Sequence, residues 1–177
     1  MNERDKRIVV GVDGTEESGR LLRWAGSLAK ALDAEVVAVH ALTPVGEFTL
    51  SLPPFPPTNL RRAFQAELED HWCAPLREIG VPYRALIVES GPVSALLQVS
   101  EQERADFIVV GGHGHTTFTD HIVGSVAARL VHRGTTPVVV VPTTTDAPAF
   151  DPSGQRGRLD HDHPRDAEAV GAHAEGG

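Results

Sequence analysis

Apolar positions along this chain follow two alternating patterns. Short, nearly continuous β-branched runs recur at "RIVVGVD" (7–13), "AEVVAVHAL" (34–42), "YRALIVES" (83–90), "DFIVVG" (106–111) and "PVVVVP" (137–142). Runs of this length and composition read as strands covered on both faces. Between them the apolar period changes from 2 to 3.6. "TEESGRLLRWAGSLAKAL" (15–32) puts Leu21, Leu22, Ala25, Leu28, Ala29 and Leu32 on one helical face. Thr15 suits its N-cap, and Glu16 and Glu17 suit the positive end of its dipole. A second helix runs from Thr58 or Asn59 to Ile79, with Leu60, Phe64, Leu68, Trp72 and Leu76 at i+4 steps. Pro75 should kink or interrupt its last turn. "GPVSALLQVSEQER" (91–104) turns Val93, Leu96, Leu97 and Ser100 inward, with Pro92 in its first turn. "HIVGSVAARLVHRG" (121–134) carries Ile122, Val123, Val126, Leu130 and Val131 on one face and meets a C-terminal glycine, Gly134.

The alternation predicts an α/β fold: a doubly wound, five-stranded parallel sheet with helices on both faces. Right-handed crossovers narrow the topology to such a doubly wound sheet, and the order expected is 3-2-1-4-5, with the first and fourth strands as neighbours. In that order the carboxyl ends of the first and fourth strands open onto one crevice, the place where such sheets take ligands.

Two segments break the pattern. Residues 43–59 contain five prolines and read as an exposed excursion. Residues 143–177 are polar, rich in Pro and Gly, and nearly free of large apolar groups, the composition of a disordered tail. The expected organisation is one domain over 1–142 and an acidic, His-containing tail over 143–177.

Composition narrows the classes. No apolar stretch approaches 18 residues, so no membrane span is expected. The start, "MNERDKRIVV", lacks a signal-peptide pattern, and a single cysteine, Cys73, excludes an internal disulfide. Together these place the protein in the cytoplasm. Net charge is −8, half of it from a tail with seven acidic and three basic residues. An acidic surface argues against nucleic acid as a partner.

The chemistry concentrates in "GGHGHTTFTDHIVGS" (111–125), between the fourth strand and the fourth helix. Gly111 and Gly114 let the backbone curl and approach a phosphate closely. Nine residues after Gly114 come Gly124 and Ser125, at a helix start where free amides and the dipole favour an anion. The loop is not a Walker loop, because the only lysines are Lys6 and Lys30. Nor does the first strand–helix turn, "VDGTEES", hold the dinucleotide fingerprint.

The spacing G-x2-G-x9-G-S, on this strand–helix connection and ahead of "PVVVVP", resembles the universal stress protein family and, within it, the ATP-binding branch. "VVGVDGTEES" and "VVAVHAL" resemble that family's first two strands, and the likeness covers about residues 6–142. It implies that Asp13 contacts the nucleoside and that Gly11, Val12 and Ala41 form the adenine slot. It places Val110 and Gly111 along the ribose, and Gly114, Gly124, Ser125 and Val126 at the phosphates. His113 stands in the loop variant that ATP-binding members often show. The resemblance also implies a homodimer, paired through the last strand, 137–142. With no lysine at the loop, Mg2+ held by the ATP phosphates is expected to offset their charge, and no protein side chain is assigned as a metal ligand. His113, His115 and His121 lack a cysteine or carboxylate to complete a zinc site and read as solvent-facing. Cys73 reads as a packed thiol, and Trp24 and Trp72 as helix-packing residues.

The function implied is an ATP-binding universal stress protein that acts in stress response or signalling through its nucleotide state. Two alternatives share the fold: a nucleotide-free dimeric scaffold, and an adenine-nucleotide α-hydrolase-like enzyme. The enzyme would need catalytic groups beyond the loop, and no lysine, activated cysteine or carboxylate pair is placed to serve. Slow ATP hydrolysis or autophosphorylation remains compatible with the binding protein.

Overall fold

A computed structural model of the 177-residue chain describes residues 6–43, 58–112, 124–142 and Phe150. Among the described residues, five strands and five α-helices follow in the order β1 (Lys6–Gly11), α1 (Glu16–Leu32), β2 (Ala34–Ala41), α2 (Thr58–Glu67), α3 (Ala74–Ile79), β3 (Tyr83–Val88), α4 (Pro92–Glu103), β4 (Phe107–Gly111), α5 (Ser125–Arg133) and β5 (Val138–Val141). The strands form one parallel sheet in the order β3-β2-β1-β4-β5, as the pattern predicts.

Strand periodicity divides the core in two. Ile8, Val10, Val36 and Ala38 point to the face covered by α1 and α3. Val9, Val37, Val39, Ile108 and Val110 point to the face covered by α4 and α5. Because successive side chains of a strand point to opposite faces, both sides must be apolar, and a continuous β-branched run satisfies that.

The helices follow their caps. Thr15 Oγ1 accepts a hydrogen bond from the Ser18 amide at 3.2 Å and starts α1, while Asp33, at φ 53°, ends it. Ser100 is buried in α4 with its hydroxyl donating to Leu97 O at 2.8 Å. Gly134 closes α5 in an extended conformation. A side chain there would press on Leu97 and on the Leu130 carbonyl, so close packing is what calls for glycine.

Several expectations are corrected. The second helix is interrupted, one of the two outcomes expected of Pro75, but the interruption falls ahead of that residue and not in the last turn. It ends at Glu67, passes through a π turn over Leu68–Trp72 in which the Cys73 amide bonds Leu68 O at 3.0 Å, and restarts at Ala74. Pro75 has no N–H for the carbonyl four residues back, and its ring would collide with it. The break therefore falls upstream, and Pro75 sits in the tolerant first turn of α3. On α4, Ala95 and Val99 are buried and Leu97 is only half-buried. On α5, Ala127 joins Leu130 in the core while Val131 is 60% exposed. That helix begins at Ser125, so its apolar stripe starts later than 121 and is set by where the helix meets α4. Each strand is one or two residues shorter at an end than its apolar run, because the outermost residues leave the ladder for turns.

Phe150, assigned by composition to the tail, packs edge-on against Trp24 of α1, with ring centroids 5.7 Å apart. Residues 44–57 of the proline-rich excursion, the loop positions 113–123 with Ile122 and Val123, and the tail positions 143–149 and 151–177 lie outside the described residues. No described helix is long and apolar enough to cross a membrane.

Candidate functional site

At the carboxyl ends of β1 and β4 the chain leaves in opposite directions, toward β2 and toward β5. The divergence opens a cleft of about 560 Å³, within the range of small-molecule and cofactor sites. Nine residues singled out in the sequence line it together: Gly11, Val12, Asp13, Ala41, Val110, Gly111, Gly124, Ser125 and Val126. His113 and Gly114 lie outside the described residues.

One wall is the turn that follows β1. Val12 keeps one ladder bond, from its amide to Val39 O at 2.9 Å, and then the chain turns away. Asp13 Oδ1 accepts from the Thr15 amide at 3.1 Å and from Thr15 Oγ1 at 2.6 Å. Asp13 thus holds the residue that caps α1, and the same carboxylate lines the cleft. Gly14 takes φ +81°, a left-handed conformation that glycine adopts without strain, and lies against the Trp72 ring. Gly11 also has a packing reason: an added Cβ would stand 3.1 Å from Leu96 of α4.

The opposite wall is the start of α5. Gly124 is its N-cap and, as a glycine, offers no side chain to the first amides of the helix. The Gly124 amide donates to Gly112 O at 2.6 Å, which ties the helix start to the end of β4. The first backbone N–H groups of a helix have no partner within it and carry the positive end of its dipole. Ser125 places a hydroxyl beside them. Arg129 and Arg133 do not line the cleft, nor does any other described cation.

The cleft also contains residues that the sequence did not assign to the site, among them Thr15, Glu17, His40, Pro92 and Leu96. Pro92 and Leu96 enter because α4 crosses beneath the switch point, which only the packed topology shows. His40 had a visible signal: a polar ring near the carboxyl end of a strand whose middle is apolar. Its Nδ1 lies 2.9 Å from Val12 O.

Elsewhere, Cys73 is fully buried, and burial pushes its thiol up to about 11. A thiol so reluctant to ionise packs and does not attack. Among the described residues no cluster of three His, Cys, Asp or Glu is arranged for a metal ion.

The fold and cleft define a doubly wound α/β protein with an open pocket at its switch point and a helix start in the pocket wall. The universal stress protein family profile matches residues 5–142, and the chain belongs to that family. It is 32% identical over 139 residues to a universal stress protein of Mycolicibacterium smegmatis, an alignment covering 76% of this chain and 45% of that one. The chain thus spans under half the length of that relative. It is also 32% identical over 137 residues to the universal stress protein in the QAH/OAS sulfhydrylase 3' region of Thermus aquaticus, covering 77% of this chain and 98% of that one. Among solved structures, a universal stress protein in complex with cAMP is 27% identical and superposes with a TM-score of 0.61, covering 79% and 98% of the two chains.

Proposed function

We propose that this universal stress protein binds ATP in the cleft, together with Mg2+, and acts in cytoplasmic stress response or signalling through its nucleotide state. One observation carries the reading. The Asp13 turn and the glycine-led start of α5 at Gly124–Ser125 face one cavity, as a nucleoside contact and a phosphate cradle must. The related structure in complex with cAMP supports an adenine nucleotide as the ligand class. Gly11, Val12 and Ala41 then serve the base, Val110 and Gly111 the ribose, and Ser125 and Val126 the phosphates. His113 and Gly114 belong to the same loop by sequence. The two carboxylates lining the cleft, Asp13 and Glu17, do not offset a polyphosphate, so a divalent cation on the phosphate oxygens supplies the missing positive charge.

The test is to denature the purified protein, identify any released nucleotide by chromatography, and titrate the emptied protein with ATP, AMP and cAMP by calorimetry, with and without Mg2+. ATP binding that strengthens with Mg2+ supports the reading. Binding of AMP or cAMP alone moves the ligand within the adenine class, and no binding of any of the three favours the nucleotide-free scaffold.

The same reading includes a homodimer through residues 137–142. The Ile108 and Gly112 amides donate to Pro137 O and Val141 O at 2.8 Å, so Val138 and Val140 turn their amides away from β4. Val138–Val140 are only half-buried, and Val131 is exposed. Val140→Pro removes one outward amide and should shift a dimer to monomer in sedimentation velocity. A parent that sediments as a monomer would remove this part of the proposal.

A further inference from the structure

We infer that His40 is a positioning residue for the nucleotide cleft: its ring Nδ1–H holds the Val12 carbonyl and thereby sets the turn that presents Asp13. The inference rests on the adenine-nucleotide reading of the cleft. It concerns a residue to which that reading assigns no role.

The geometry begins where β1 stops. Gly11 is the last residue of the strand, and Val12 retains its amide bond to Val39 O. The Val12 carbonyl is bonded instead by a side chain, His40 Nδ1 at 2.9 Å. A carbonyl oxygen only accepts, so Nδ1 carries the hydrogen, and this fixes which ring nitrogen is protonated. Val12 is buried, and a buried carbonyl without a donor is costly, so the turn has reason to stay where His40 meets it. The next residue is Asp13.

The ring is itself held in place. Phe64 of α2 stacks on it with centroids 5.9 Å apart and planes 26° apart. Trp72, from the π turn, meets it edge-on at 4.9 Å and 82°. Trp72 also lies on Gly14, on the far side of Asp13. The turn is therefore gripped at Val12 by His40 and at Gly14 by Trp72, and the two grips touch one another. π turns occur often at functional sites, and this one delivers Trp72 to the turn. Val12, Asp13 and His40 all line the cleft.

The hydrogen bond and the aromatic packing separate experimentally. In His40→Asn, the amide nitrogen stands where Nδ1 stood and still reaches the Val12 carbonyl, but the stacked ring is gone. In His40→Leu both are lost. The two variants should lose similar thermal stability. Titrated with ATP and Mg2+ and with cAMP, His40→Leu should bind whichever nucleotide the parent takes about tenfold more weakly or worse, equivalent to about 1.4 kcal/mol. His40→Asn should stay within about threefold of the parent, less than the shift one such bond makes. Equal affinities in His40→Leu and the parent, or equal losses in both variants, overturn the inference while leaving the proposed function in place. A parent that binds neither nucleotide overturns the function and the inference with it. Should His40→Leu fail to fold, 15N chemical shifts of the His40 ring in the unaltered protein decide. A protonated Nδ1 that shifts on nucleotide addition supports the role, and an unprotonated Nδ1, or one that ignores the nucleotide, overturns it.

Discussion

Asp13 shows why one side chain in this protein carries two meanings. Its carboxylate orders the start of α1 through Thr15 and also faces the cleft. A carboxylate ahead of a helix needs no ligand to explain it, and one in a nucleoside pocket is equally well placed. Under the proposed function the two roles separate in a variant. Asp13→Ala should weaken ATP binding by about 1.5–3 kcal/mol, the range for hydrogen bonds to charged groups. Loss of support for the cap should cost stability by about 1 kcal/mol or less. Calorimetry and thermal unfolding read the two effects, and unchanged affinity in a folded variant removes Asp13 from the site. The residue was legible because it ends an apolar run at a strand–helix turn. A single histidine in a strand is commonly a packed one, so the meaning of His40 comes only from the turn it meets.

Helix α5 and the chain beyond β5 show what a segment inherits from its neighbours. The proposed phosphate role depends on the first turn of α5, whose N-cap is a glycine with no side chain to offer its amides. Gly124→Val fills the space a phosphate needs but leaves the helix able to form, so ATP affinity should be abolished even with Mg2+ present. Chelating the cation should lower the parent's affinity clearly, and a Gly124→Val protein that folds and binds like the parent refutes the cradle. At the other end, Phe150 packs on Trp24 although the composition around it resembles a tail. Aromatic pairs contribute about 0.5–1.5 kcal/mol beyond their buried area. Phe150→Ala should therefore lower the thermal midpoint by a few degrees and change Trp24 fluorescence. Equal midpoints would show that the contact contributes nothing to stability.

The end of the sheet away from the cleft is closed by charge. Arg84 bonds Glu35 at 2.8 Å and Glu103 at 2.7 Å, and Arg7 lies 3.4 Å and 3.5 Å from the same two carboxylates. The network joins the starts of β1, β2 and β3 to the end of α4. The hydrogen bond from Arg84, with the charges of Arg84 and Arg7, holds the Glu103 carboxyl below its ordinary value of 4.5. A carboxyl lowered in the folded state stabilises fully above its unfolded value and loses that stabilisation as pH falls through the folded one. Stability should thus fall as pH drops below about 4.5. The network is partly solvent-exposed, so Glu103→Gln should cost about 1 kcal/mol or less near neutrality and progressively less in acid. Denaturant unfolding of both proteins across that range checks it, and a gap that widens in acid would contradict the assignment.

Local sequence determined the alternation of five strands with helices, the cap at Thr15, and the glycines at the cleft. These depend on side-chain period and backbone freedom, which neighbouring residues in the chain settle among themselves. The doubly wound class also followed, because right-handed crossovers leave few ways to cover both faces of such a sheet. Other features depended on the packed structure. The break before Pro75 moved upstream into a π turn, the exposed side of α5 was set by its contact with α4, and Phe150 met Trp24 from far along the chain. So too did His40, Trp72 and Gly14, which lie on separate elements and meet only after α2 and the π turn pack beside β2. No spacing along the chain encodes such meetings, because they depend on distances between elements, and those are set by the volume of the side chains packed between them.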